Sequence, residues 1–210
     1  MRWILATALL LSLAACSSSS GMGEAECQTA DWRAIGYEDG AQGYSAESFG
    51  GRRKACAEHG VTAKFDDYMS GHGEGLARFC RPQNGYQLGT RGYRYTGICP
   101  AHLEGPFLVA HADGYGLYER RAAVNRIGKR LTYSRNRSSE IEYLVVEKTT
   151  LMLAPTTLGP ERALLAVELK QLAEEKFEVE RSIDQLEAEH VEAQRDYEAY
   201  RNSIANRHRG

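Results

Sequence analysis

The chain has 210 residues and a formal net charge of −2, with 26 lysines and arginines against 28 aspartates and glutamates. This balance excludes a surface that is basic overall, so a nucleic acid is not an expected partner. The length suits one domain of ordinary size together with an extension.

Residues 1–15 have the pattern of a lipoprotein signal peptide. One arginine precedes an apolar run over residues 4–15, which is shorter than the roughly 20 residues of a membrane-spanning helix. Cys16 follows two alanines, an arrangement that suits cleavage and lipidation at this cysteine. We therefore expect a cell-envelope protein that is anchored to a membrane by palmitate-type acyl chains on Cys16. By analogy with bacterial lipoproteins, which the leader resembles, Ser17 favours the outer membrane, facing the periplasm. The alternative is an ordinary signal peptide that is cut near the same position.

The next residues predict a tether and then a compact head. Residues 16–23 are mostly serine and glycine and are expected to form a flexible tether. Residues 24–105 are rich in glycine and cysteine and are expected to form a small helical head. Glycine inside a helix costs up to ~1 kcal/mol relative to alanine, so its repeated use predicts closely packed helices or frequent turns. The expected helices have caps at Thr29, Ser45 and Thr62, and those capped by Ser45 and Thr62 run to Glu58 and Cys80.

Four cysteines follow Cys16, and all four lie before residue 100. An even number of cysteines in an exported protein predicts two disulfides, for which three pairings exist. We favour Cys27–Cys56 and Cys80–Cys99, because each pair then closes a loop of roughly 20 to 30 residues. A zinc site is the alternative, but the spacing contains no Cys-x-x-Cys pair, so no metal is expected.

A joint spacing of glycines, aromatics and cysteines runs through residues 27–118. It consists of Asp31-Trp32, Ile35-Gly36, Asp39-Gly40, Gly43, Cys56, Tyr68, Gly71, Gly75-Leu76, Phe79-Cys80, Gly85-Tyr86, Gly89, Gly92, Tyr95, Gly97 and Cys99-Pro100. This series resembles a bacterial lipoprotein family, domain-of-unknown-function family 2799. The resemblance implies a small exported lipoprotein, and it supplies neither a reaction nor catalytic residues. The long C-terminal extension departs from the short members of that family.

Four polar side chains are the candidate chemical site: His72 with Glu74, and His111 with Asp113. Such residues serve elsewhere as metal ligands or as acid–base pairs. A spacing of two does not place both ligands on one helical face, however, and the sequence has no His-Glu-x-x-His run, Gly-x-Ser-x-Gly elbow or Gly-x-Gly-x-x-Gly loop. We therefore expect neither an enzyme nor a cofactor, and we assign no catalytic residue.

Residues 106–210 predict a long helical hairpin whose turn lies at about 153–160. Pro106 suits the first helical position. Residues 135–139 are expected to kink or restart the helix, because a serine there can open a capping box. Two prolines and a glycine then mark the turn.

After the turn, the spacing of apolar residues is typical of a coiled coil. Eleven positions alternate steps of three and four, and nine of them are apolar. They are Leu169, Leu172, Lys176, Val179, Ile183, Leu186, His190, Ala193, Tyr197, Tyr200 and Ile204.

The charges favour pairing of this helix with the one before the turn. Residues 120–137 hold seven basic side chains and no acidic one, whereas acidic residues dominate residues 168–198. Folding back at the turn places residue 120 near 190 and residue 137 near 173, so that basic meets acidic. The alternative is a parallel homo-oligomer through the last helix, which leaves the basic stretch free for anionic lipid headgroups.

These patterns predict an all-α protein: a small disulfide-stapled helical head followed by a long antiparallel helical hairpin (coiled coil). The expected function is that of a non-enzymatic envelope scaffold, whose segment 165–205 contacts an envelope protein or a second copy. The alternative is a periplasmic module that binds cell-wall saccharide or peptide through the many tyrosines of the head, and an enzyme of undetermined type is third. Tyrosines that fill a small core are the simpler interpretation of that composition.

Overall fold

The computed structural model describes residues 22–207, and in that range it contains helices and turns but no β-strand. The all-α prediction is therefore confirmed for these residues. The signal peptide and Cys16 lie outside them. The helices are α1 (Glu24–Thr29), α2 (Trp32–Gln42), α3 (Ser48–Glu58), α4 (Phe65–Phe79), α5 (Pro82–Thr90), α6 (Ala101–Leu153) and α7 (Gly159–Ile204), with a short 3-10 turn at Ala205–Arg207.

The described chain divides between Phe79 and Cys80 into two compact units, which we call the N-terminal unit and the C-terminal unit. This division differs from the predicted head of residues 24–105. The physical reason is that α5 packs along α6 and therefore belongs with the hairpin. Each unit contains one disulfide, and the pairs are the favoured ones, Cys27–Cys56 and Cys80–Cys99.

The core of the N-terminal unit is an aromatic cluster beside its disulfide. The Phe49 ring lies 5.7 Å from that of Trp32 and 4.9 Å from that of Tyr68, between centroids. Met22 is buried in the same cluster with both cysteines. Met22 lies near the end of the predicted tether of residues 16–23. Because it packs against the core, the predicted tether is not free chain at this residue.

The starts of the N-terminal helices differ from the prediction by a few residues. Asp31, rather than Thr29, caps α2, because its carboxylate accepts a hydrogen bond from the backbone N–H of Ala34. Thr29 instead ends α1 and donates to the carbonyl oxygen of Ala25. α3 starts three residues after Ser45, at Ser48.

In the C-terminal unit, α6 starts earlier than predicted and continues without interruption. The backbone N–H groups of Leu103 and Glu104 both donate to the carbonyl oxygen of Pro100, so the helix begins at Ala101 and Pro106 lies inside it. Residues 135–139 neither break nor restart the helix. Ser139 donates back to the carbonyl oxygen of Arg135 instead of capping a new helix.

α6 and α7 form the predicted antiparallel hairpin, and its turn lies between Leu153 and Gly159. All eleven predicted seam positions of α7 are buried or partly buried. Ile141 of α6 is fully buried on the facing side. Gly128 of α6 lies opposite His190, where an added Cβ would be 3.4 Å from the imidazole Nε2, so this glycine gives room to the histidine in the seam.

Ion pairs between the two helices follow the predicted charge pattern. Arg137 binds both carboxylate oxygens of Glu175 at 2.7 and 2.8 Å. The other pairs with the cation on α6 are Arg120–Asp196, Arg130–Glu189, Arg135–Glu187 and Lys148–Glu168. Exposed pairs of this kind contribute little individually, but together they favour the antiparallel register over alternatives.

Candidate functional site

The N-terminal unit is held together by a crossing of glycines between α2 and α4. A Cβ added at Gly36 would lie 2.9 Å from the carbonyl carbon of Tyr68, and one added at Gly71 would lie 2.8 Å from that of Arg33. Gly40 and Gly75, one turn further along each helix, meet the opposite backbone in the same way. The two backbones are thus in direct contact, and we call α2 and α4 the first glycine-packed pair.

The C-terminal unit repeats this arrangement with α5 and α6, the second glycine-packed pair. Gly85, Gly89 and Gly92 follow Gly36, Gly40 and Gly43 by 49 positions, and Ala110 and Gly114 follow Gly71 and Gly75 by 39. A Cβ at Gly85 would lie 2.6 Å from the carbonyl oxygen of Phe107, and one at Gly114 would lie 2.9 Å from the backbone nitrogen of Thr90. Each unit therefore contains one glycine-packed helix pair and one disulfide, which joins segments outside the two paired helices.

The predicted site residues His72 and His111 occupy equivalent positions in the two pairs. Each Nε2–H donates to a tyrosine carbonyl oxygen, that of Tyr44 at 2.8 Å and that of Tyr93 at 2.7 Å. Each imidazole also stacks on the aromatic ring one helical turn earlier, at 5.8 and 6.1 Å between centroids. Both histidines thus hold the loop that follows the first helix of their pair.

The carboxylates of the predicted site have separate partners. Glu74 is exposed and binds Arg33 of α2 at 2.5 Å. Asp113 binds Arg207 through both carboxylate oxygens, at 2.8 and 2.9 Å, and so ties the 3-10 turn after α7 to α6. Among residues 22–207, no group of three histidine, cysteine or acidic side chains is placed to hold a metal ion.

A buried polar network around Asp39 was not among the predicted site residues. Asp39 is 3% exposed and accepts hydrogen bonds from Arg52, from the Tyr68 hydroxyl at 2.7 Å and from Ser48 at 2.9 Å. Burial alone would raise the pKa of Asp39, but the hydrogen bonds from Arg52, Tyr68 and Ser48 and the charge of Arg52 outweigh it, so the pKa lies below its ordinary value. The network joins α2, α3 and α4, and its closed geometry indicates a structural role.

The outward surface of the hairpin carries many exposed apolar and aromatic side chains. They are Tyr133, Tyr143, Val146, Leu151, Leu153, Leu158, Leu164, Val167, Phe177 and Val191. Residues 149–160 contain no charged residue, and the turn is closed by Arg162, which donates to the carbonyl oxygens of Ala154 and Thr157. Within the described chain, no helix is both long and apolar enough to cross a bilayer.

The described residues thus define an all-α, disulfide-bonded protein with two glycine-packed helix pairs and one antiparallel hairpin. Residues 31–116 match the model of a family described as "Protein of unknown function (DUF2799)", and this segment of the chain belongs to that family. The matched segment runs from the cap of α2 to just beyond Gly114, so it spans both glycine-packed pairs and excludes most of the hairpin. No curated protein and no solved structure matched the chain.

Proposed function

We propose that the protein is an exported, lipid-anchored scaffold of the cell envelope, whose outward hairpin surface contacts another envelope protein. The observation that carries this proposal is that the coiled-coil seam of α7 is filled by α6 of the same chain. A helix whose seam is satisfied in this way has no free stripe for a parallel partner. We therefore expect contacts with other molecules to be made by outward side chains such as Tyr143 and Phe177, which are 68% and 64% exposed.

Two features support the export and the anchor. The two disulfides suit an oxidising compartment, in which such bonds persist. The leader with Cys16 has the pattern of a lipidated signal sequence.

The proposal also assigns no catalysis to His72, Glu74, His111 or Asp113, because each of them has a partner that explains its position. Alanine at all four positions should leave the cellular phenotype intact as long as the protein stays folded, and loss of the phenotype with an unchanged thermal midpoint would favour an enzyme.

The test is photo-crosslinking in cells, with p-benzoylphenylalanine in place of Tyr143 or Phe177 and mass spectrometry of the products. We expect crosslinks to a different envelope protein from these outward positions. Tyr44, which is 55% exposed in the N-terminal unit, is the control position. Crosslinks from Tyr143 and Phe177 to a second copy alone would contradict the proposal.

A second candidate function rests on Tyr44 and Tyr93, which occupy equivalent positions beside Gly43 and Gly92 and are 55% and 52% exposed. Exposed tyrosine rings can stack on sugars or peptides of the cell wall. Truncation at Pro155 separates the two candidates. A scaffold should lose its partner while the N-terminal unit stays folded, whereas a wall-binding module should retain saccharide binding.

A further inference from the structure

A groove of about 600 Å³ runs along the outward side of α6, and we call it the α6 groove. Seven side chains of this helix line the groove, and four of them are basic. They are Tyr118, Arg121, Ala122, Asn125, Arg126, Lys129 and Arg130. A smaller groove of about 270 Å³ adjoins it between α6 and α7. It shares Lys129 and Arg130 and is also lined by Tyr133, Ser134, Ser182 and Leu186.

The cations around the α6 groove fall into two groups according to whether they have an acidic partner on α7. Arg120 is paired with Asp196, and Arg130, which lies at the edge of the groove, is paired with Glu189. In the α6 groove, Arg126 and Lys129 form no ion pair or hydrogen bond with the described residues.

Arg121 completes the charge of the groove. It donates at 2.7 Å to the carbonyl oxygen of Thr90, which is uncharged. Residues 120–139 contain no acidic side chain. Within the described part of the chain, the charges of Arg121, Arg126 and Lys129 therefore have no acidic partner, and the chain as a whole has a net charge of −2.

We propose that the α6 groove binds the phosphate groups of anionic phospholipid headgroups. The three cations from Arg121 to Lys129 span roughly 12 Å of helix, so they can contact more than one headgroup. Arginine and lysine are the side chains that bind phosphate, and a basic face on a helix is typical of contact with anionic lipid. The groove is open along its length, whereas sites for small soluble ligands typically enclose most of the ligand surface.

The experiment uses the full-length protein in cells, with p-benzoylphenylalanine in place of Asn125 in the groove. The matched control has the same replacement at Asn136, an exposed asparagine eleven residues further along α6. Asn136 is flanked by Arg135 and Arg137, whose charges are neutralised by acids of α7. After irradiation, we expect phospholipid adducts, identified by their acyl mass, from Asn125 and at least ~5-fold fewer from Asn136.

Charge removal provides the second arm. Arg126→Gln with Lys129→Gln should reduce the lipid adduct at Asn125 on the order of 25-fold, because each cation near an anionic membrane contributes a factor of about five. Arg135→Gln with Lys170→Gln removes the same charge from positions that are paired with Glu187 and Glu174, and it should change the yield less than ~2-fold. An unchanged thermal midpoint of the groove variant checks that it is folded.

Three results would overturn the proposal. The first is equal lipid adducts from Asn125 and Asn136. The second is a lipid yield at Asn125 that the groove variant and the control variant reduce equally. The third is an adduct at Asn125 that is a protein, or a soluble phosphate ester without acyl chains, since either one would place a different molecule in the groove.

Discussion

Substitution of Gly71 by alanine tests whether backbone contact holds the first glycine-packed pair together. The added Cβ would lie 2.8 Å from the carbonyl carbon of Arg33 and 3.0 Å from the backbone nitrogen of Tyr37. Ordinary contacts between carbon atoms are about 3.5–4 Å, so α2 and α4 must separate by about 1 Å. The atoms in the way belong to backbone, which cannot rotate aside as a side chain does.

The magnitude follows from two opposing effects. Overpacking costs about 1–3 kcal/mol, and the rigid neighbours place Gly71→Ala near 3 kcal/mol. Alanine gains about 1 kcal/mol over glycine inside a helix, so the net loss in the free energy of unfolding is about 2 kcal/mol. Gly73→Ala, two residues along the same helix, is the matched control. Nothing lies within 4 Å of its added Cβ, so it should stabilise by about 1 kcal/mol.

The assay is urea unfolding with the disulfides intact, followed by the fluorescence of Trp32. This tryptophan is buried in the N-terminal unit and is the only one among the described residues. The two variants should differ by about 3 kcal/mol, which is a difference of ~2 M in the urea midpoint for a slope of ~1.5 kcal/mol/M. Equal shifts in the same direction would refute the reasoning, because the helical effect of alanine is common to both positions.

Three further outcomes follow from other parts of the chain. The carboxylate of Asp39 has a lowered pKa in the folded state, so its contribution to the free energy of unfolding is fully present above the ordinary pKa of about 3.9 and is lost as the pH falls below that value and through the lower folded-state pKa. Asp39→Asn should therefore cost about 2 kcal/mol at pH 7 and progressively less below about pH 4, as measured by urea unfolding across this range. Leu186→Ala in the hairpin seam should lower the free energy of unfolding by about 3 kcal/mol, whereas Val191→Ala on the outward side should lower it by less than ~0.5 kcal/mol. The thermal midpoint should not depend on protein concentration, and a midpoint that rises with concentration would instead indicate a seam shared between chains. Cys16→Ser should release the folded protein from membranes washed in high salt, which screens the headgroup contacts of the α6 groove, and retention of this variant after the wash would contradict lipidation at that residue.

The hairpin and the disulfides could be predicted from the sequence because their signals are local or few. A seam that alternates steps of three and four specifies which face of α7 is buried, and the facing charges specify an antiparallel partner. Four cysteines allow three pairings, and the pairing that closes two short loops is the one that the structure contains. The predicted start of α6 at Pro106 is wrong, because the helix begins at Ala101 and continues through Pro106, a position at which proline ordinarily disfavours a helix.

The two glycine-packed pairs could not be assigned from the sequence in the same way. Any glycine pair four residues apart can pack on any other, so the spacing of Gly36 and Gly40 predicts close approach without naming a partner. The boundary near residue 80 depends on that choice, because α5 could belong to either unit until its contact with α6 is known. The Asp39 network was also missed, since its donors Ser48, Arg52 and Tyr68 are 9 to 29 residues away in the sequence.

The unbroken length of α6 has a mechanical consequence. Its 53 residues make a rod roughly 80 Å long, which is packed backbone to backbone on α5 near one end and ends at the hairpin turn. The turn lies about 60 Å along the helix from Gly114, so it acts on the α5–α6 contact as the end of a lever. At the glycines that contact consists of main-chain atoms, and the Cys80–Cys99 bond ties the segment just before α6 to the segment just before α5. A sideways force on the turn is therefore transmitted along α6 as a torque on its contact with α5.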